Sequence, residues 1–135
     1  MLNPGFYSLS ERAITTAISE AQTPILNLDG MTAVTVQARL VMGTGGTSAK
    51  AFVQTSLDQG NTWIDIACFA FTTTGAVKVM NASGLTPRTT PITPTDGALS
   101  DDTVLDGVLG DRLRVKVVTT GTYSNAVVSV RAVVR

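Results

Sequence analysis

The chain has 135 residues, enough for one domain that buries roughly two-thirds of its unfolded surface without disulfide staples. Ten basic residues balance ten acidic ones, and charged residues make up only 15% of the total, against roughly 25% in ordinary soluble domains. That balance argues against a nucleic-acid backbone or an anionic membrane as the main partner. The lack of any histidine removes Ser-His and Cys-His nucleophile pairs and imidazole-based zinc sites.

Residues Met1 to Ser10 carry Pro4, Gly5, Phe6, Tyr7 and Leu9 without a period. They predict an N-terminal arm set off from a single domain at 11–135, with its aromatic side chains laid on that domain or on an adjacent subunit. The segment has neither the basic n-region nor the apolar h-region of a cleaved secretion signal, and no apolar run reaches membrane-spanning length. Arg12 to Ser19 alternates weakly, with Ile14 and Ile18 on one side, and Thr15 and Thr16 favour an extended chain. Pro24 to Leu28 predicts a short strand closed by Asp29-Gly30. Thr32 to Met42 is the cleanest period-two run, with Val34, Val36, Ala38, Leu40 and Met42 on one face. The loop Gly43 to Ser48 resembles a phosphate cradle only in its glycines, because no Lys-Ser/Thr pair and no helix follow. Ala49 to Leu57 and Trp63 to Phe71 predict a central hairpin whose bulk is Phe52, Trp63, Ile64, Ile66, Phe69 and Phe71.

Ala76 to Met80 is a short strand. From Asn81 to Asp102 the period vanishes and Pro87, Pro91 and Pro94 prevent regular pairing. A long loop of this kind is functional or laid against something. Thr103 to Leu109 is brief and ambiguous. Arg112 to Thr119 turns Leu113, Val115 and Val117 inward and Arg112, Arg114 and Lys116 outward. Gly121 to Asn125 is a hairpin loop, and Ala126 to Val134 closes the chain with Val128, Val130, Ala132 and Val134 alternating. The expected class is all-β, a β-sandwich of seven to nine short antiparallel strands with jelly-roll or immunoglobulin-like connectivity.

The sharpest local signal is Ser56-Leu57-Asp58-Gln59-Gly60-Asn61-Thr62-Trp63. Ser56 and Asp58 offer short oxygen-bearing side chains to the turn's own amides, Gly60 takes a positive φ, and Thr62 and Trp63 restart the strand. The pattern fixes architecture and supplies no reactive group.

Other constellations point to chemistry only weakly. Asp96, Asp101, Asp102, Asp106 and Asp111 lie among turn glycines, where aspartate caps or turns the backbone rather than flanking a scissile bond. Asp58, Thr62 and Asp101-Asp102 are candidate calcium donors, yet neither group reproduces an EF-hand loop with its terminal glutamate. Cys68, the sole cysteine, sits in an apolar run and reads as a buried inert thiol. Arg112, Arg114 and Lys116 lack interleaved aromatic platforms for single-stranded nucleic acid. They read as the charged face of an edge strand, with salt bridges to a neighbouring subunit as the alternative. Tyr7, Trp63 and Tyr123 are the only candidates for a carbohydrate face. No catalytic residue, cofactor or metal is expected.

The octapeptide Ser56 to Trp63 resembles the Asp-box of sialidases and related β-propellers, which carry several such boxes, an arginine triad and a tyrosine nucleophile on a far longer chain. A second resemblance covers more of the sequence. Phe52 to Phe71, Pro94 to Leu99 and Val108 to Tyr123 are similar to small all-β structural proteins of tailed bacteriophages and prophages. The resemblance implies a non-enzymatic virion component, assembled in the host cytoplasm and functioning in the particle. A head decoration or cement protein comes first, and a neck or tail accessory subunit or a host-glycan-binding module is the alternative. It further implies other virion proteins and further copies of the chain as partners. Phe6, Tyr7, Leu9, Arg112, Arg114 and Lys116 are then the candidate inter-subunit contacts.

Overall fold

The computed structural model describes residues 4–135, and these form an all-β sandwich without a helix. Its long strands are β1 (Gly5–Ile14), β3 (Ala33–Val41), β5 (Ser48–Ser56), β6 (Ile64–Phe71), β7 (Ala76–Ser83), β8 (Arg112–Thr120) and β10 (Ala126–Val134). Three short ones complete the set: β2 (Ser19–Ala21), β4 (Thr44–Gly45) and β9 (Tyr123–Ser124). One sheet runs β1-β10-β3-β7, the other β2-β8-β5-β6, and β4 and β9 make a small separate ladder. Every pairing is antiparallel.

The pairings are nested. β5 meets β6, β3 meets β7 around them, β2 meets β8, and β1 meets β10 outermost. The chain is therefore one long hairpin doubled back on itself, and the lateral pairs β10–β3 and β5–β8 close it into two sheets. Period-two burial decides which side faces inward. In β3, Val34, Val36, Ala38 and Leu40 are buried while Thr35, Gln37, Arg39 and Val41 are exposed. Leu113, Val115 and Val117 of β8 and Val128, Val130, Ala132 and Val134 of β10 face the same core.

Several expectations change. Gly5 to Ser10 is not a detached arm; it is the first half of β1, paired along β10 from Gly5–Val134 onward. Met1 to Asn3 lie outside the described residues. A register shift between Ser8 and Ser10 buries Leu9 and Ser10 in succession and breaks the alternation, which hid the strand. Arg12 to Ser19 is not one strand, since β1 stops at Ile14 and a bend precedes β2. Pro24 to Leu28 and Thr103 to Leu109 contribute single bridges, Ile25 to Leu113 and Val104 to Ala67. β8 is an interior strand, not an edge, because β2 and β5 flank it. The proline loop starts and ends later than expected, at 84–111, since Asn81 to Ser83 belong to β7.

That loop seals one side of the sandwich. β6 is an edge strand, and the loop satisfies its outward backbone groups. Asp65 N–H donates to the Thr95 carbonyl (3.0 Å), Cys68 N–H to that of Thr103 (3.0 Å), and Leu105 N–H to that of Ile66 (2.8 Å). Gly107 N–H then donates to Ser83 of β7 (2.9 Å), so the same segment ties the edges of both sheets.

Candidate functional site

The Ser56 to Trp63 turn forms as its sequence predicts. Ser56 Oγ accepts from Gly60 N–H at 2.8 Å, Asp58 Oδ1 accepts from Thr62 N–H at 2.7 Å, and the two side chains meet at 3.0 Å. Gly60 has φ 93°, and Gln59 before it has φ 61°. The amide of Thr62 holds the Asp58 carboxyl below the usual aspartate range, so it stays ionised and keeps the turn closed. Trp63 is half-buried beside the turn, and the Arg114 guanidinium lies 4.2 Å from its ring centroid.

Sequence reasoning missed the polar centre that fastens the loop. Asp65 is 1% exposed and accepts from Gln54 Nε2 (2.8 Å), Thr95 Oγ1 (2.8 Å) and the backbone amides of Gly97, Ala98 and Leu99. Three successive amides wrapped around one carboxylate are an anion nest, here filled by the protein's own side chain. Gln54, fully buried, also donates to Asp96 Oδ1 (2.7 Å) and accepts from Arg114 Nε (2.6 Å). Lys116 Nζ donates to the Asp96 carbonyl at 3.1 Å. Burial works against the Asp96 anion, but the Gln54 amide and the Lys116 and Arg114 charges prevail and hold its pKa below the usual range. Arg114 and Lys116 thus meet a partner within their own chain and are largely covered. A signal existed in the sequence: Gln54 and Asp65 are polar residues inside otherwise apolar strands, and such groups need partners when buried.

Three of the four remaining loop carboxylates are also spent, and the fourth, Asp111, has its Oδ1 buried without a hydrogen-bond partner among the described residues. Asp101 pairs with Lys50 (2.7 Å), and Asp102 pairs with Lys78 (2.8 Å) and accepts from Ala70 N–H. Asp106 caps Ser83 N–H (2.7 Å) and accepts from Thr86 Oγ1. The Lys78 ammonium lowers the Asp102 pKa, and the Ser83 amide lowers that of Asp106. Cys68 lies beneath this segment. Desolvation, helped by the Asp101 charge, pushes its thiol up to about 11, which leaves it protonated and unreactive at neutral pH. Among the described residues no group of three or more His, Cys, Asp or Glu is placed to hold a metal ion, and no helix is long and apolar enough to cross a membrane.

What stays open is the outer face of the β1-β10-β3-β7 sheet. Its rows follow from the register. Phe6, Val133, Thr35 and Asn81 form one row, Ser8, Arg131, Gln37 and Val79 the next. Glu11, Ser129, Arg39 and Val77 form the third, and Ala13, Val127 and Val41 the last. Phe6 is 64% exposed, Val79 62%, and Val41 and Val77 about half. Among the described residues, four of the eight large exposed hydrophobic side chains therefore share one face. At its centre Ser129 Oγ donates to Glu11 (2.8 Å), Arg131 pairs with Glu11 (3.2 Å), and a shallow hollow of about 330 Å³ opens between these groups, Arg39 and Val41.

Of the residues expected at subunit contacts, Phe6 lies on this face. Tyr7 is half-buried against the core, and Leu9 is core, 3% exposed. Tyr123 is buried as well, its hydroxyl donating to the Ser48 carbonyl (2.6 Å), so it presents no aromatic surface to a sugar. Its ring fills the space a Cβ at Gly46 would take. No family model, curated protein or solved structure matches the chain.

Proposed function

We propose that the chain is a non-enzymatic structural protein of a tailed-bacteriophage virion, a head decoration subunit that stabilises the capsid by surface contact. The observation that carries this reading is the open sheet face, apolar in four of its exposed positions and opposite a face that the chain has sealed for itself. A monomer in water gains nothing from leaving valine and phenylalanine side chains together on one sheet, whereas a subunit covered by neighbours does. The chain's few charges are mostly paired internally, which also suits assembly over solitary solubility.

The strand order supports the same reading by analogy. With the two-residue strands set aside, the nesting of the pairs supports a jelly-roll connectivity, a double-sheet architecture used by viral capsid domains among others. The similarity of Phe52 to Phe71, Pro94 to Leu99 and Val108 to Tyr123 to phage structural proteins points the same way. The mechanism is mechanical: many modest contacts repeated over a shell hold adjacent capsomers without a tight individual site.

Quantitative mass spectrometry of purified particles tests the reading. It expects the protein in stoichiometric amounts and particles lacking it that burst at lower temperature. Particles that form full heads but fail to join tails would move the subunit to the neck, and a protein missing from particles would end the proposal.

A further inference from the structure

We infer that the open face of the β1-β10-β3-β7 sheet is the self-association surface of the protein and that its occupant is a second copy of the chain, packed face to face about a two-fold axis. The inference rests on the reading of the chain as a contact protein and names the partner of its open face.

Charge complementarity selects the occupant. Arg39 is the arginine of this face that has no carboxylate within ion-pair reach among the described residues, while Glu11 carries the face's only negative charge. The two lie in the same row, two strands apart with Ser129 between them, and the Glu11 carboxylate is turned to Ser129 and Arg131 rather than to Arg39. A two-fold axis parallel to the strands, between the central strands β3 and β10, exchanges those strands between copies. It sets Arg39 of one copy over Ser129 of the other, and Ser129 is already bonded to Glu11 at 2.8 Å. Face-to-face sheets sit about 10 Å apart, a gap that an arginine and a glutamate reaching toward each other span. The same axis places Arg131 over Gln37 and Val41 over Val127, and no two like charges oppose.

The interface is isologous, so every such contact occurs twice and the assembly closes at two copies. Its size is adequate. Four strands of about nine residues cover roughly 600 Å² in projection at standard strand spacing and rise, close to the roughly 800 Å² a side of a standard interface. A capsid protein seated on this face would have to bring the carboxylate for Arg39 that a second copy carries in Glu11.

Sedimentation equilibrium of the full chain over a concentration series tests the inference. The wild type is expected at twice the 14.1 kDa of one chain. Arg39→Glu, which sets like charges face to face, should raise the dimer Kd at least about tenfold, and Val41→Asp should do the same. Adding Glu11→Gln to Arg39→Glu should recover part of the loss, a coupling that two unrelated surface changes would not show. Thermal melts by circular dichroism at low concentration should match the wild type, which separates a broken interface from a broken fold. A wild-type monomer at every concentration overturns the second copy as occupant, and so does a dimer indifferent to both variants. Such a monomer found in particles leaves the virion reading standing, and a dimer absent from particles leaves the interface standing without it.

Discussion

The two outer faces of this sandwich solve the same problem in opposite ways. On the β2-β8-β5-β6 sheet the chain supplies its own cover, and Ala51 to Ser56 and Ile64 to Phe69 are buried without a break. On the β1-β10-β3-β7 sheet the cover is missing, and burial alternates strictly along β3. The difference teaches what covering a sheet with irregular backbone demands. A loop brings unsatisfied amides with it, and here a buried carboxylate, Asp65, receives three of them. The open face needs no such device, because water or another folded surface meets it.

The sharpest way to break the contrast is Asp65→Ala. It removes the acceptor for three loop amides and leaves them buried beneath the loop, so urea denaturation should show a loss of about 3 kcal/mol. Released from its edge, the loop should expose Cys68, and thiol labelling should accelerate at least about tenfold while the thiol's own pKa falls toward the ordinary value. An unchanged labelling rate would mean that the loop does not depend on this carboxylate. Gln54→Ala cuts the link between Asp65, Asp96 and Arg114 and should cost about 2 kcal/mol, with a shift in Trp63 emission as its stacked guanidinium is freed.

Acid should separate the faces next. The folded pKa values of Asp58, Asp96, Asp102 and Asp106 lie below the ordinary value. Their contribution is therefore present above the unfolded value, about pH 3.9, and is lost as pH falls through the folded values. Hydrogen exchange of the Gly97, Ala98 and Leu99 amides, referred to the free-amide rate at each pH and followed from pH 5 downward through that window, should lose protection before the sheets melt, because all four groups belong to the turn and the loop. At the small end, Gln37→Ala on the open face should change the stability of the monomer by less than about 0.5 kcal/mol. A larger effect would show that this face is braced from within.

Most of the framework was legible because the strands that build the core obey simple alternation. Ala33 to Val41, Arg112 to Thr120 and Ala126 to Val134 announce their inward sides, and the Ser56 to Trp63 turn carries its own bonding pattern in its residue types. What stayed hidden depends on partners remote in sequence. β1 pairs only with the last strand, and its bulge at Leu9 erases the period that would have revealed it. Arg114 and Lys116 alternate like solvent-facing residues, because alternation reports a side of the sheet and cannot report that a loop some twenty residues upstream lies over it. The unbroken apolar run from Ile66 to Phe71 did contain the clue, since a strand covered on both faces has no polar side to show.

The nesting of the pairs has a consequence for biosynthesis. Of the described strands β1 is made before the others, yet its only sheet neighbour is β10, the latest of them, which also slots between β1 and β3. Until translation has delivered residues 126–134, the opening strand has nothing to hydrogen-bond and β3 keeps an empty flank. Sheet completion therefore has to await synthesis of residues 126–134, and a nascent chain halted before that point would carry two unpaired edges exposed to aggregation and proteases.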